Sequence, residues 1–326
     1  MDSTGDLPIL DLSKLRGSLS ERSAAVQMIG SVCQTKGFFQ VINHGISTDI
    51  LRDALDVAAA FFDLPADERS GLASDDLTVP VRYATASFVL DDDGDVMVLR
   101  HVLKQNSYPL EEWIDKWPAK PLQYWEKMGK YATEVRRQVS ELMEAITESL
   151  GLGRHYLRSK MDNGFEMMLL NCYPPPPAGS GTGGGDIVSC AAHTDYTLLS
   201  VLLASHEGLE ELDQETGSWR AAPHGAGALV VHAGDCLEAL SNGRYRAAVH
   251  RVAASGGRRG GGSRVSIATL TSLAMDERVE VAEELVDARH PAMYRGSTLR
   301  EYTEFLKAGR KDGGNFMDSL KINGAV

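Results

Sequence analysis

The sequence predicts an α+β protein with a mainly β core, and three observations lead there. Short apolar runs separated by Gly, Pro, Asn and Asp clusters follow one another at 165–173, 187–192, 197–203, 209–212, 218–221, 228–232, 245–253 and 264–271. Strand-length runs at this spacing, without helical periodicity between them, suit a sandwich or barrel of antiparallel strands. Ahead of them lies one long stretch with apolar residues at three- and four-residue steps, and ahead of that a mixed N-terminal region.

Taken in chain order, the apolar run Leu7 to Leu12 predicts a short strand. Ser18-x-x-Glu21 reads as a capping box, in which each side chain bonds the other residue's backbone N–H, for a helix running to about Gln34. Gly37 ends that helix, and Phe38 to Ile42 reads as a strand closed by Asn43-His44-Gly45. A second helix is expected from about Thr48 to Phe62, with Leu51, Leu55, Ala58, Phe61 and Phe62 on one side. Residues 66–105 show no clear period and read as irregular, with an acidic turn at Asp91 to Asp95.

The clearest helix covers roughly 121–150, where Leu122, Trp125, Met128, Ala132, Val135, Val139, Leu142, Ile146 and Leu150 share a face and Gly151 stops the chain. The glycine-rich stretches 178–185 and 256–263 lack the GK[ST] ending of a phosphate-binding loop and read as plain loops. A last helix is expected at 298–308. The organisation is one compact unit: an N-terminal region (1–120), a scaffold helix (121–163), the β core (164–275) and a C-terminal helix and tail (276–326).

Composition narrows the function. With 326 residues and 43% hydrophobic content the chain can bury a large core. A net charge of -12 argues against a nucleic-acid or anionic-membrane partner, since both attract basic faces. Any anionic ligand must therefore meet a local positive site. Cys33, Cys172, Cys190 and Cys236 form no CxxC pair, which fits a reducing compartment. No secretory signal and no membrane span is read, so a cytoplasmic protein, monomeric and acting on a small molecule, is the expectation.

The chemistry-bearing residues lie in the β region. His193-Thr194-Asp195 places an imidazole and a carboxylate at i and i+2, which on a strand face the same way. A third ligand must come from another strand, and His250, after the strand-like Tyr245 to Val249, is the candidate. Two histidines and a carboxylate on one face leave positions open for a bidentate co-substrate and O₂ on iron(II), although a metal hydrolase could use the same set. The remaining histidines, His44, His101, His155, His206, His224, His232 and His290, are read as ordinary hydrogen-bonded residues. Arg264-Val265-Ser266 repeats the i, i+2 pattern, and an arginine fork suits a carboxylate. Asn171 and Tyr173, just before Pro174 to Pro177, again share a face. Together these residues describe a dicarboxylate site beside a metal.

They also resemble a known family, the plant-type 2-oxoglutarate- and iron(II)-dependent dioxygenases. The resemblance rests on LLNCYPPPP (169–177), HTDYTLLSVLL (193–203), GALVVHAGDCLEALSNGRYRAAVHRV (227–252) and RVS (264–266), with LPILDL (7–12) and GFFQVINHGIS (37–47) near the N-terminus. It implies a double-stranded β-helix, a distorted cupin-like jelly roll, backed by N-terminal and flanking helices. It further implies His193, Asp195 and His250 as iron ligands, Arg264 and Ser266 on the distal carboxylate of 2-oxoglutarate with Tyr173 and Asn171 assisting, O₂ as oxidant and ascorbate as a helpful reductant. The segment 99–121 resembles the subgroup of flavone synthases, flavanone 3-hydroxylases, salicylate hydroxylases and some alkaloid hydroxylases.

The expected reaction is hydroxylation or desaturation of a small aromatic or phenolic metabolite, flavonoid or salicylate-like, with an alkaloid, hormone or terpenoid as the alternative. Phe165, Met167 and Leu169, with Tyr83 and Phe88, are the expected pocket walls. A metal hydrolase or a non-catalytic cupin-like binding protein are the rivals from other classes. One departure from the family pattern stands out: His232 occupies the place where Asn is usual.

Overall fold

A computed structural model describes residues 7–89, 96–175, 188–214, 216–225, 227–253, 262–309 and 315–322. The acidic turn, the 178–185 stretch and all but the end of 256–263 lie outside the described residues. The strands are β1 (Ile9–Asp11), β2 (Phe38–Ile42), β3 (Val81–Val89), β4 (Val96–Tyr108), β5 (Phe165–Tyr173), β6 (Val188–His193), β7 (Leu199–Ala204), β8 (Leu209–Asp213), β9 (Ser218–Ala221), β10 (Leu229–Ala233), β11 (His250–Ala253) and β12 (Arg264–Ser272).

They form an eight-stranded sheet in the order β1-β2-β10-β7-β12-β5-β4-β3 and a four-stranded sheet in the order β6-β11-β8-β9. This is the double-stranded β-helix. The long central pairings are antiparallel, with β12 matched to β5 from Arg264–Tyr173 through Ser272–Phe165.

Local chemistry explains the N-terminal elements. The capping box forms: Ser18 Oγ accepts from the Glu21 N–H, and Glu21 Oε2 accepts from the Ser18 N–H at 2.9 Å. The helix Leu19–Thr35 follows. Gly37 turns the chain into β2 at φ +76, and a Cβ there would collide with the Arg246 carbonyl oxygen. Only glycine meets both demands. The helix Thr48–Phe62 forms as expected.

The long helix begins at Tyr124, so Leu122 stays outside it, 89% exposed, and Trp125 is 40% exposed. The rest of the predicted stripe, from Met128 to Leu150, is buried. The expected irregular stretch 66–105 is corrected: it opens on a short helix, Ala66–Ser70, and from Val81 onward it carries the paired strands β3 and β4, which complete the large sheet. A short helix, Asp235–Leu240, also interrupts the β region.

The large sheet has a different neighbour on each side. On its outer face Leu103, Met168, Leu170 and Ile267 join the core built with Phe61, Met128 and Tyr131 of the two helices. Its inner face meets the small sheet through Tyr173, Leu202 and Val230 against Leu209 and Val252.

One buried ion pair ties the long helix to the outer face. Arg136 Nη1 donates to Glu166 Oε1 at 3.1 Å, and Thr271 Oγ1 donates to the same oxygen at 3.0 Å. Glu166→Ala would leave the guanidinium without its counter-charge, so a loss of about 3–5 kcal/mol is expected. Urea unfolding checks this; a loss below about 1 kcal/mol would place the pair among ordinary surface bridges.

Candidate active site

His193 is the last residue of β6 and His250 the first of β11, and the two are register partners. Asp195 does not lie on the strand, as the i, i+2 reading had it. β6 ends at His193, and Asp195 sits in the turn before β7. That turn is held through backbone: the Asp195 carbonyl accepts from the N–H groups of Thr197 and Asp235, each at 2.9 Å. Gly234 is what lets the 234–236 segment come this close, since a Cβ there would collide with the Thr197 carbonyl oxygen.

The result is convergence. His193 Nε2 is 3.7 Å from Asp195 Oδ1, and His250 Nε2 is 4.0 Å from Oδ2. One ligand atom from each of the three residues lies within 4.8 Å of the others. Each Nδ1 is turned away onto a backbone carbonyl, His193 to Ala191 at 2.8 Å and His250 to Ala248 at 3.0 Å. Donation from Nδ1–H leaves the Nε2 lone pairs facing the gap, the tautomer a metal needs. A nitrogen–nitrogen–oxygen set with this orientation fits iron(II).

Electrostatics differ among the three. Burial, reinforced by the charge of His232, pushes His250 down to about 4, so it is neutral. Burial also works against charge on His193, but Cys190 and Asp195 outweigh it and raise the ring to about 9. A metal entering there displaces a proton. Burial alone would raise Asp195, yet the two imidazoles and Ser200 hold it below its ordinary value.

Sequence reasoning missed what stands behind His250. His232, set aside as an ordinary histidine, lies with its ring centroid 4.3 Å from that of His250, and its Nε2 bonds Glu211 Oε1 at 2.7 Å. Glu211 is the register partner of His250 on β8 and is 1% exposed. The departure from Asn at 232 was a visible signal for the histidine; nothing in the run GLEELD singled out Glu211.

The second cluster lies on the inner face of the large sheet. Register pairs Arg264 with Tyr173 and Ser266 with Asn171, and all four are buried. Arg264 Nη1 is 3.3 Å from Ser266 Oγ, Nε donates to the His206 carbonyl at 3.1 Å, and the guanidinium carbon is 5.3 Å from the Tyr173 ring centroid. Among the described residues no carboxylate pairs with Arg264. A buried guanidinium without an anion is costly, and a ligand carboxylate would complete it. The Oδ1 of Asn171 is likewise buried without a partner.

Phe165, Met167 and Leu169 alternate with buried residues on β5, share the parity of Asn171 and are half-buried, so they line the inner face. Tyr83 is corrected: it points to the outer face, where its hydroxyl bonds His101 Nδ1 at 2.7 Å and its ring meets Phe61 edge-on at 6.4 Å. It packs under the helices and forms no pocket wall. The Phe88 side chain lies outside the described residues.

A double-stranded β-helix carrying a two-histidine, one-carboxylate cluster and a buried arginine defines the class of non-haem oxygenases, and comparison with known proteins agrees. The family model described as 2OG-Fe(II) oxygenase superfamily matches residues 164–272, and that of the non-haem dioxygenase in morphine synthesis N-terminal region matches residues 7–127. The chain belongs to the 2-oxoglutarate- and iron(II)-dependent oxygenases. It is 41% identical over 97% of its length, and 91% of the relative's, to the rice (Oryza sativa subsp. japonica) protein named 2-oxoglutarate-dependent dioxygenase 21, chloroplastic. It is 38% identical to rice flavanone 3-dioxygenase 3, over 97% of this chain and 93% of that one. The crystal structure of the dioxygenase for auxin oxidation in rice shares the fold at TM-score 0.77 and 23% identity, covering 97% of this chain and 100% of that one. The enzyme class carries Fe(II), 2-oxoglutarate and O₂ as its requirements. Among the described residues no helix is long and apolar enough to cross a membrane.

Proposed function

We propose that this oxygenase hydroxylates or desaturates a small aromatic or phenolic metabolite, flavonoid or salicylate-like, with His193, Asp195 and His250 holding iron and Arg264 with Ser266 holding 2-oxoglutarate. The observation that carries the site assignment is the pairing of a converging imidazole–imidazole–carboxylate set with a buried arginine that, among the described residues, lacks a carboxylate. A hydrolase or a scaffold would have no use for the second half. Ascorbate, as a reductant, is expected to sustain turnover.

When bound, iron with 2-oxoglutarate and O₂ supplies the oxidising power for attack on a C–H bond. The chain's own residues do the rest. Backbone carbonyls at 191 and 248 fix the imidazole tautomers, Arg264 orients the co-substrate by charge and fork geometry, and Asn171 offers a free acceptor beside it. The half-buried Phe165, Met167 and Leu169 give the inner face an apolar wall on which a planar ring can lie. The relative named flavanone 3-dioxygenase 3 supports the aromatic reading. Four free cysteines support a reducing compartment such as the cytoplasm, and fractionation tests it against the plastid named in the rice relative.

Succinate formation across flavanones, phenolic acids, alkaloids and gibberellin-like diterpenes tests the substrate class. Stimulation by aromatic substrates is expected; stimulation by the diterpene or alkaloid alone would overturn it. The Glu211–His232 prop behind His250 gives a further expectation. His232→Leu removes a ring packed on His250 while leaving the Ala248 hydrogen bond, so iron retention should weaken by roughly 10-fold, the low end of what outer partners of a metal ligand contribute. Iron titration followed by the visible band of the 2-oxoglutarate complex measures it, and unchanged affinity would reduce the pair to core packing.

A further inference from the structure

Within a protein of net charge -12, three cations stand together on the inner face of the hairpin β3–β4. Arg82 and Lys104 are direct cross-strand partners, and Arg100 precedes Lys104 by two pleats on the same face. Directly opposed residues have their Cβ atoms about 5 Å apart, and four residues of strand span roughly 13 Å. The parity is that of the co-substrate cluster, because β4 pairs with β5 through Lys104–Leu169 and Val102–Asn171.

The inward end of this track reaches the back of His193, on the side away from Asp195. Arg100 Nη1 bonds Cys190 Sγ at 3.2 Å, and Cys190 Sγ lies 4.0 Å from His193 Nδ1. Arg100 Nε is buried with no partner. The outward end, Arg82 with Lys104, lies beside Leu169 of the apolar wall; among the described residues Asp76 acts on Arg82 through space without a direct ion pair, and Lys104 has no acidic partner. All three cations are partly buried, and burial followed by the repulsion of Arg82 and Arg100 pushes Lys104 down to about 8. Like charges drawn out of water and set side by side destabilise the free protein. An anion between them would reverse that.

We infer that Arg82, Lys104 and Arg100 form an anion subsite for the substrate, so that the molecule oxidised is an organic acid whose carboxylate docks on β3–β4 while its apolar body lies along Phe165, Met167 and Leu169. This rests on the oxygenase reading above and sharpens it, favouring an aromatic acid over a neutral flavonoid. The carboxylate is distinct from those of 2-oxoglutarate, which Arg264 and Ser266 serve from the opposite side of β5. Arg82 and Lys104 would set which acid enters and how it lies.

The test uses the full chain loaded with iron(II) and saturating 2-oxoglutarate without oxygen, titrated with salicylate and cinnamate, with their amides, and with a neutral flavanone; the change in the visible band reports binding. The acids are expected to bind roughly tenfold or more tighter than their amides, the usual scale for charge-assisted hydrogen bonds. That preference should collapse in Lys104→Met and in Arg82→Gln, with the half-saturating 2-oxoglutarate changed less than about twofold. Equal binding of acids and amides by the unaltered protein, failure of both acids to bind, or a variant that loses 2-oxoglutarate rather than the acid would overturn the subsite. A protein that never forms the band with iron and 2-oxoglutarate would overturn the site assignment and this inference with it; a normal band without acid preference would overturn the inference alone.

Discussion

Asp195→Ala is expected to abolish turnover, with succinate formation falling by more than about 100-fold, since loss of a mere outer partner of a metal ligand already costs up to that much. The reason is local. Asp195 contributes the sole carboxylate of the proposed ligand set, with its two oxygens 3.7 and 4.0 Å from the imidazole nitrogens of His193 and His250. Without it two imidazoles, of which only His250 is buried, face each other with no negative charge between them to hold a divalent cation. The fold should survive, because Asp195 organises its turn through its backbone carbonyl, which alanine retains. Iron content and thermal melting, measured together, separate loss of metal from loss of structure. A variant that kept iron and turned over within tenfold of the parent would show that the ion sits elsewhere.

Arg264→Ala should act on a different quantity. The guanidinium is 3% exposed and held by Ser266 and the His206 carbonyl, so it is oriented before any ligand arrives. Truncating one partner of a buried hydrogen-bonded charge pair costs about 2–5 kcal/mol, which raises the half-saturating 2-oxoglutarate by roughly 30-fold at the least. Iron affinity should be little changed, because Arg264 is not part of the ligand cluster. Arg264→Lys should recover part of the loss: the charge remains and the planar fork does not. A half-saturating concentration within about threefold of the parent would remove Arg264 from the co-substrate site.

The two experiments divide the site as the sequence divided it, into a metal half and a co-substrate half. Arg264, Ser266, Asn171 and Tyr173 were legible because i, i+2 spacing on a strand is a local property, and β5 and β12 are regular strands in register over their whole length. The helix faces were legible for the same reason, except where Leu122 fell before the first turn. The hairpin β3–β4 was not legible. Its inward positions carry Arg82, Arg100 and Lys104 where an ordinary half-buried strand would alternate apolar with polar toward water, so the two-residue period was masked. Those charges, which hid the strands, are the ones that now suggest what the enzyme binds. Tyr83 was misread with them, since placing it on the outer face required knowing a strand was there.

By itself the sequence determined the donor types, the ordered motifs and the β texture of residues 164–275, all of which depend on neighbours within a few positions. Tertiary structure decided how the donors meet. Asp195 reaches His193 and His250 from a turn held by the 234–236 segment, against expectations of a strand pleat. Glu211 comes to His232, and so to the back of His250, only because β8, β10 and β11 fold over one another. Pairing between distant strands is set by which faces bury together, and no local spacing along the chain encodes it.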